Sequence, residues 1–301
     1  VGTALFFRMA LTVPGGHIAD APGLTDVTVA TTHRRRGLLR AMLDDLFTRW
    51  ETARFPFAML NASEAGIYER FGFGPATFAQ RVEVTTRRAR LRDYGPDEPV
   101  TWFATPDEAR EHLPGIEKQW AATRPGALAR SDAYWELFFA GSELIWPSGG
   151  VPVHHLLHSD GYASFWFQRG DKGQCLFVHE IRALTRGAHT ELWRTLLATD
   201  LLSSVKALLP IDDPLPAKLV DLRAGECAGV TDMLWLRILD VPQALTVRTY
   251  RGDVNVVIEV LNDFRGRGGT FALSVVDGVA TVSASSSTPT VRLDISVLGS
   301  I

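Results

Sequence analysis

Near the start of the chain the spacing of hydrophobic residues changes once, and the change marks a strand giving way to a helix. Val27 and Val29 alternate with smaller residues, the spacing of a strand with one packed face. From Gly37 onward Leu38, Leu39, Met42, Leu43, Leu46, Phe47 and Trp50 fall at i, i+1, i+4, i+5, i+8, i+9 and i+12, one apolar face of a helix of several turns. Upstream, Val1 to Val13 reads as a strand, with turns expected at Pro14-Gly15-Gly16 and Ala21-Pro22-Gly23. Downstream, Phe55 to Leu60 reads as a strand parallel to Val27–Val29 through the helical crossover. Ser63 is the expected N-cap of a short helix carrying Tyr68, and Phe78 to Thr86 alternates as a further strand.

A second pattern begins near Asp93–Pro99. Thr105-Pro106-Asp107-Glu108 has a capping hydroxyl, a proline at the first helical position and acids in the first turn, so a helix starts there. Ser131 opens another, with Tyr134, Trp135, Leu137, Phe138 and Phe139 as an aromatic face. Strands are predicted at 151–157, 162–168 and 177–184, followed by one long helix over 190–209. From Asp232 the texture turns to strands: 235–245, 253–261, 270–276, 279–285 and 291–297, with Asp277-Gly278 as a hairpin signal. The predicted segments are therefore 1–92, 93–231 and 232–301.

Composition narrows the class. With 301 residues, 46% hydrophobic and 22% charged, the chain has ample material for more than one core. A net charge of −3 argues against a general nucleic-acid binder, and Arg87–Arg92, with few interleaved aromatics, reads as a solvated connection. Cys175 and Cys227 read as two reduced thiols, which goes with a cytoplasmic setting and leaves secretion open. No membrane span and no secretory leader are expected. His154, His155 and His158 have metal-like spacing only on a helix, and the residues around them favour a strand, so no metal is predicted. Neither GxxxxGK nor GxSxG occurs, and Asp44-Asp45 reads as a solvated helix face.

The turn between strand and helix carries the candidate chemistry: Arg34-Arg35-Arg36-Gly37. A helix N-terminus has unpaired N–H groups and partial positive charge, and Gly37 permits close backbone approach, so a pyrophosphate could be cradled there. A solvated basic loop before an ordinary helix explains the same residues. The second segment, Asn61-Ala-Ser-Glu-Ala-Gly-Ile-Tyr-Glu-Arg-Phe-Gly-Phe-Gly-Pro75, bears on that choice. Together the two resemble the acetyl-CoA-binding core of GNAT-type N-acetyltransferases. THRRRGLLRAM followed by ASEAGIYERFGFGPAT is similar to the Eis (enhanced intracellular survival) family, and the likeness runs along essentially the whole chain.

That resemblance implies an α/β and α+β protein: tandem GNAT-like acetyltransferase domains, the second non-catalytic, followed by a sterol-carrier-protein-like α+β domain. It implies acetyl-CoA as co-substrate and an amine acceptor, such as an aminoglycoside or a lysine side chain. By the same carry-over, the backbone of Val27, Thr28 and Val29 binds the pantetheine arm, and Arg34, Arg35, Arg36, Gly37 and Leu38 take the pyrophosphate. Ser63 sits beside the cofactor and Tyr68 is the general acid. A homo-oligomer, a hexamer in the family, is expected. Family members place a strand, two helices and another strand ahead of the stretch matching Val1–Val13, and continue past Val291–Val297. Residues 1–301 are thus expected to belong to a longer protein, and Ile301 is not the terminal carboxylate the family brings near its substrate. Two rivals differ in class. A non-catalytic scaffold with a ligand-binding C-terminal domain would not need the basic loop to bind CoA; a nucleic-acid binder using Arg34–Arg36 and Arg87–Arg92 would show steep salt dependence.

Overall fold

The computed structural model describes residues 1–92, 101–146, 151–170, 173–261, 264–266 and 268–300; the expected start of the second segment at Asp93–Pro99 and Ile301 lie outside them. In chain order the elements are β1 (Gly2–Thr12), β2 (Ile18–Val29), α1 (Leu38–Thr52), β3 (Phe57–Asn61), α2 (Ala65–Tyr68), β4 (Gly74–Pro75) and β5 (Phe78–Thr85). Next come β6 (Thr101–Phe103), α3 (Pro106–Ala122), β7 (Leu128–Ala129), α4 (Asp132–Phe139), β8 (Val153–His158), β9 (Gly161–Gly170), β10 (Gly173–Ala183), α5 (Arg186–Leu197) and β11 (Leu202–Pro210). The remainder is α6 (Leu215–Lys218), β12 (Gly225–Asp232), β13 (Leu234–Ile238), α7 (Val241–Thr246), β14 (Val254–Leu261), β15 (Gly269–Val276), β16 (Val279–Ala284), β17 (Val291–Asp294) and α8 (Ile295–Gly299).

These elements form two compact units. The first contains residues 1–77, 121–129 and 232–301, the second 78–120 and 130–231. The units divide the chain otherwise than the predicted 1–92, 93–231 and 232–301, because local alternation shows that a strand exists and not which sheet it joins. β5 pairs antiparallel with β11 in the second unit, and β13 pairs antiparallel with β3 in the first.

The first unit is built on the sheet β4-β13-β3-β2-β1-β7, in which β2 and β3 are parallel across the α1 crossover. Its strands are apolar on both faces, and the pleat sorts them. Phe57, Met59, Leu234, Leu236 and Ile238 face one cluster, shared with α7, α8 and the sheet β16-β15-β14-β17. Ala58, Leu60 and Trp235 face the other, where Leu43, Leu46, Phe47 and Trp50 of α1 pack. Residues 232–301 therefore complete the first unit's core.

The second unit repeats the strand-helix-strand theme: β10 and β11 are parallel, joined by α5. Thr105 caps α3 as expected, and Glu108 answers it: Glu108 Oε2 accepts from Thr105 N at 2.8 Å and Thr105 Oγ1 from Glu108 N at 3.3 Å. Ser131 caps α4. Inside, Glu180 is buried and salt-bridged to Arg130 and, at 3.0 Å, to Arg182, while Tyr162 donates to it at 2.8 Å. Burial opposes ionisation of Glu180, but Arg182 and Arg130 outweigh it and hold the carboxyl far below its ordinary range. His154, His155 and His158 lie on β8, a strand as expected. His155 stacks on Phe138 and bonds Ser164 at 2.9 Å.

Several predicted elements differ. The helix over 190–209 ends at Leu197; Leu201 takes a left-handed turn (φ 62°) and 202–210 is a strand. Leucine suits both periods, so Leu201, Val205 and Leu208 could be read either way. Ala21-Pro22-Gly23 is no turn but runs through β2, opposite Met9, Arg8 and Phe7. The strand at 291–297 stops at Asp294, whose carboxylate accepts from Ser296 N at 2.8 Å and starts α8. By contrast Asp277 (φ 51°) and Gly278 (φ 79°) make the two-residue hairpin between β15 and β16 that their sequence announces.

Burial lowers the pKa of His155 to about 4, and that of His179 falls for the same reason. Unfolded imidazoles take up protons that the folded ones refuse, so stability should fall as pH drops from about 6.5 toward 4, by roughly 3 kcal/mol for His155 alone. Denaturant midpoints measured across that range check this; His155→Gln should flatten the slope.

Candidate active site

The first unit holds the residues singled out for chemistry, and their geometry starts from a defect in β2. Thr3 lies opposite Thr28 but Leu5 opposite Thr25, so the single residue Ala4 faces Asp26 and Val27 together. Asp26 is at φ 48°, a bulge that turns the end of β2. On the other side, β2 and β3 share a ladder of one pair, Gly23 opposite Met59. Among the described residues no further β2–β3 pair follows it, so the edge of Val27–Val29 that faces away from β1 is not laddered to β3. Val27 and Val29 are half-buried and Thr28 is exposed.

Beyond β2 a short 3-10 turn, Thr31–His33, leads to Arg34, Arg35 (φ 61°), Arg36 and Gly37. Gly37 precedes α1 in the left-handed region (φ 76°) with nothing near the Cβ it lacks, so conformation and not crowding selects glycine. No side chain caps α1. The first-turn N–H groups at Leu38 and after it thus open outward beside three exposed arginines, none of which joins an ion pair among the described residues. Asp44 and Asp45 lie on the exposed side of α1, as expected, Asp45 pairing with Arg49 at 2.9 Å.

Ser63 is exposed between β3 and α2, but the N-cap of α2 is Glu64, in extended conformation and without a side-chain cap bond. Tyr68 ends α2, 8% exposed, in the same apolar cluster as Leu24, Leu60 and Phe73, against which Val27 also packs. Burial, and second the nearby Glu64, raise its pKa, so the phenol keeps its proton at neutral pH. Its hydroxyl has no hydrogen-bond partner among the described residues. The bulge, the uncapped helix start and a protonated phenol are thereby gathered on the α1 side of one sheet.

The turn on the C-terminal side of Tyr68 is held by Arg237, a residue the sequence analysis does not single out. Arg237, in the middle of β13, is 1% exposed; its Nη1 donates to the carbonyl of Phe71 and its guanidinium lies 4.8 Å from the centre of the Phe47 ring. Gly72 adjoins that carbonyl at φ 79°, where a Cβ would come 1.8 Å from Arg237 Nη1 and 2.8 Å from Ile295. The glycine of the Tyr-x-x-x-Gly-Phe pattern is therefore demanded by backbone and space together. The signal available in the sequence is a lone arginine inside Leu234-Trp-Leu-Arg-Ile238.

Among the described residues, no group of three or more His, Cys, Asp or Glu side chains is placed to hold a metal, and no helix is long and apolar enough to cross a membrane. Both cysteines are free, Cys175 buried and Cys227 exposed.

Residues 1–76 and 126–238 each match an acetyltransferase (GNAT) domain family, which makes the chain an acetyltransferase. N-acetyltransferase Eis of Mycobacterium tuberculosis is 38% identical over 308 residues, covering all of this chain and 75% of that protein. The crystal structure of Eis1 from Mycobacterium abscessus superposes with a TM-score of 0.88 at 32% identity, over all of this chain and 76% of that one. A GCN5-related N-acetyltransferase from Anabaena variabilis shares the fold, with a TM-score of 0.85 at 20% identity over 99% of this chain and 75% of that one. The chain belongs to the Eis family of N-acetyltransferases. Acetyltransferases of this fold draw the acetyl group from acetyl-CoA.

Gly72→Ala should cost about 1–3 kcal/mol through the backbone alone, more once the buried guanidinium must move. Urea unfolding of the variant checks this, and an unchanged midpoint would mean that Arg237 has room to move aside.

Proposed function

We propose that this N-acetyltransferase moves acetyl from acetyl-CoA to the primary amine of a small molecule such as an aminoglycoside, or of a lysine side chain. The observation that supports this best is the opened edge of β2 running into an uncapped helix start with three exposed arginines. On this reading the pantetheine arm lies along the backbone of Val27–Val29, in place of the missing β3 ladder. Arg34 and Arg35, with Arg36 beside them, bind the pyrophosphate together with the N–H groups after Gly37, Leu38 first. Ser63 flanks the cofactor.

Acyl transfer needs a neutral amine to attack the thioester carbonyl, donors for the oxyanion and a proton for the departing thiolate. A backbone N–H of Val27–Val29 serves as oxyanion donor. Tyr68 protonates the thiolate, a task suited to a phenol whose raised pKa keeps it protonated. The second unit is read as non-catalytic: Thr185 caps α5, accepting from Ala188 N at 3.1 Å, and Lys218 Nζ lies 3.2 Å from the Arg186 carbonyl. One backbone donor of its helix start is thus taken by the protein itself, which no side chain does at α1. The sheet of β14–β17 with its helices is read as the family's sterol-carrier-like module, the assembly as a homo-oligomer, hexameric by resemblance, and the setting as cytoplasmic.

Replacing Arg34 and Arg35 by Ala should weaken acetyl-CoA binding by a few kcal/mol, at about 1.5–3 kcal/mol for each charge-assisted contact. Calorimetry with an unchanged affinity would remove the turn from the donor site. Tyr68→Phe keeps the ring and deletes the proton donor, so turnover should fall by roughly 10²–10⁴-fold while acetyl-CoA affinity persists; free-thiol release with a panel of amines measures both turnover and acceptor range.

A further inference from the structure

Between β14 and β15, Phe264 and Arg265 reach back to α1. Arg265 Nη1 donates to the Asp44 carbonyl at 2.7 Å, to Asp44 Oδ1 at 2.9 Å and to Thr48 Oγ1 at 3.1 Å, and Nη2 to Glu51 Oε2 at 3.3 Å. These partners lie at i, i+4 and i+7, so one guanidinium spans successive turns of a single helix face. Its side chain is 13% exposed, whereas that of Asp44 is 61% exposed: the arginine is held by the protein, not trailing in solvent. Phe264 enters the core beside it. Its ring meets Phe47 edge-on at 5.6 Å and Phe71 edge-on at 4.9 Å, and the guanidinium of Arg40, in the first turn of α1, lies 5.0 Å from its centre.

One aromatic ring thus touches both halves of the proposed site. Phe47 and Arg40 belong to the helix that starts at the arginine turn, and Phe71 lies three residues after Tyr68. We propose that Phe264 and Arg265 are positioning residues for acetyl transfer, fixing α1 along its axis and in a set relation to the Tyr68 segment. The proposal rests on the reading of α1 as donor site and of Tyr68 as acid. Apolar packing of Leu43, Leu46, Phe47 and Trp50 holds α1 against the sheet through non-directional contacts. A charged fork bound on three successive turns adds directional ones, and a displacement on the order of 1 Å is enough to cost an enzyme about 10²-fold.

The test compares Arg265→Ala, Arg265→Lys and Phe264→Leu with Leu273→Ala, a cavity variant at a buried position of β15. In the native enzyme the first and third should raise KM for acetyl-CoA about five- to tenfold and leave KM for the amine unchanged, with Lys recovering part of the loss. Leu273→Ala should lower the melting temperature without moving either KM. An unchanged acetyl-CoA KM in Arg265→Ala, measured where Arg34→Ala/Arg35→Ala does raise it, overturns the positioning role and leaves the donor site standing. A rise equal to that in Leu273→Ala overturns it too, since general loosening would then be the cause. If the double arginine variant itself leaves KM unchanged, the donor-site reading fails first and the proposal fails with it.

Discussion

A guanidinium sealed into an apolar core is costly, and at Arg237 a hydrogen bond and an aromatic face offset part of that cost. Its Nη1 takes the carbonyl that ends the turn after Tyr68, and its flat face takes Phe47 of α1. Gly72 must then lack a side chain, and Phe73 enters the core edge-on to Tyr68, with ring centres 6.2 Å apart. The phenol's position is in this way inherited from a strand far along the chain. β13 completes the sheet on one side of β3 and, through one side chain, holds the turn that follows Tyr68.

Much of this site is legible in the sequence because its parts are local. The helix α1 declares itself by seven apolar residues at helical spacing, whereas the left-handed conformation of Gly37 is seen only in the structure. Tyr68 and Gly72 travel in one short motif. What escapes local reading depends on partners distant in sequence. Arg237 reads as an oddity in an apolar strand until Phe47 and Phe71 surround it. Phe264 and Arg265 sit in a glycine-rich stretch of sequence, and nothing around them indicates that Arg265 reaches a helix some two hundred residues earlier. Ser63 and Glu64 compete for the cap, and a serine's preference is weaker than the geometry of the β3–α2 turn.

The same limit applies to the elements. Alternation identifies β5, β14, β15 and β16 correctly and cannot assign β5 to its sheet. Leucine-rich stretches mislead at 197–209, where a helix and the strand after it share one set of side chains. Both α1 and α5 bridge parallel strands, but the first starts uncapped with arginines around it, whereas the second is capped by Thr185 and approached by Lys218. Two strand-helix-strand scaffolds of one chain thus differ in whether a side chain caps the helix start.

The pairing of β3 with β13 has a consequence for synthesis. Leu60 faces Trp235, with the whole of the second unit lying between them in the chain. At about 5–20 residues per second, a ribosome needs on the order of ten seconds or more to bridge that gap. Until residues 234–238 emerge, β3 lacks its β13 partner and the face bearing Phe57 and Met59 lacks the residues of 232–301 that cover it, while by the end of that interval the intervening unit has all its strands. Vectorial folding thus finishes the middle of the chain before its beginning. The waiting half is the natural client for a holdase, and the closure of so long a loop should appear as the slow phase of refolding.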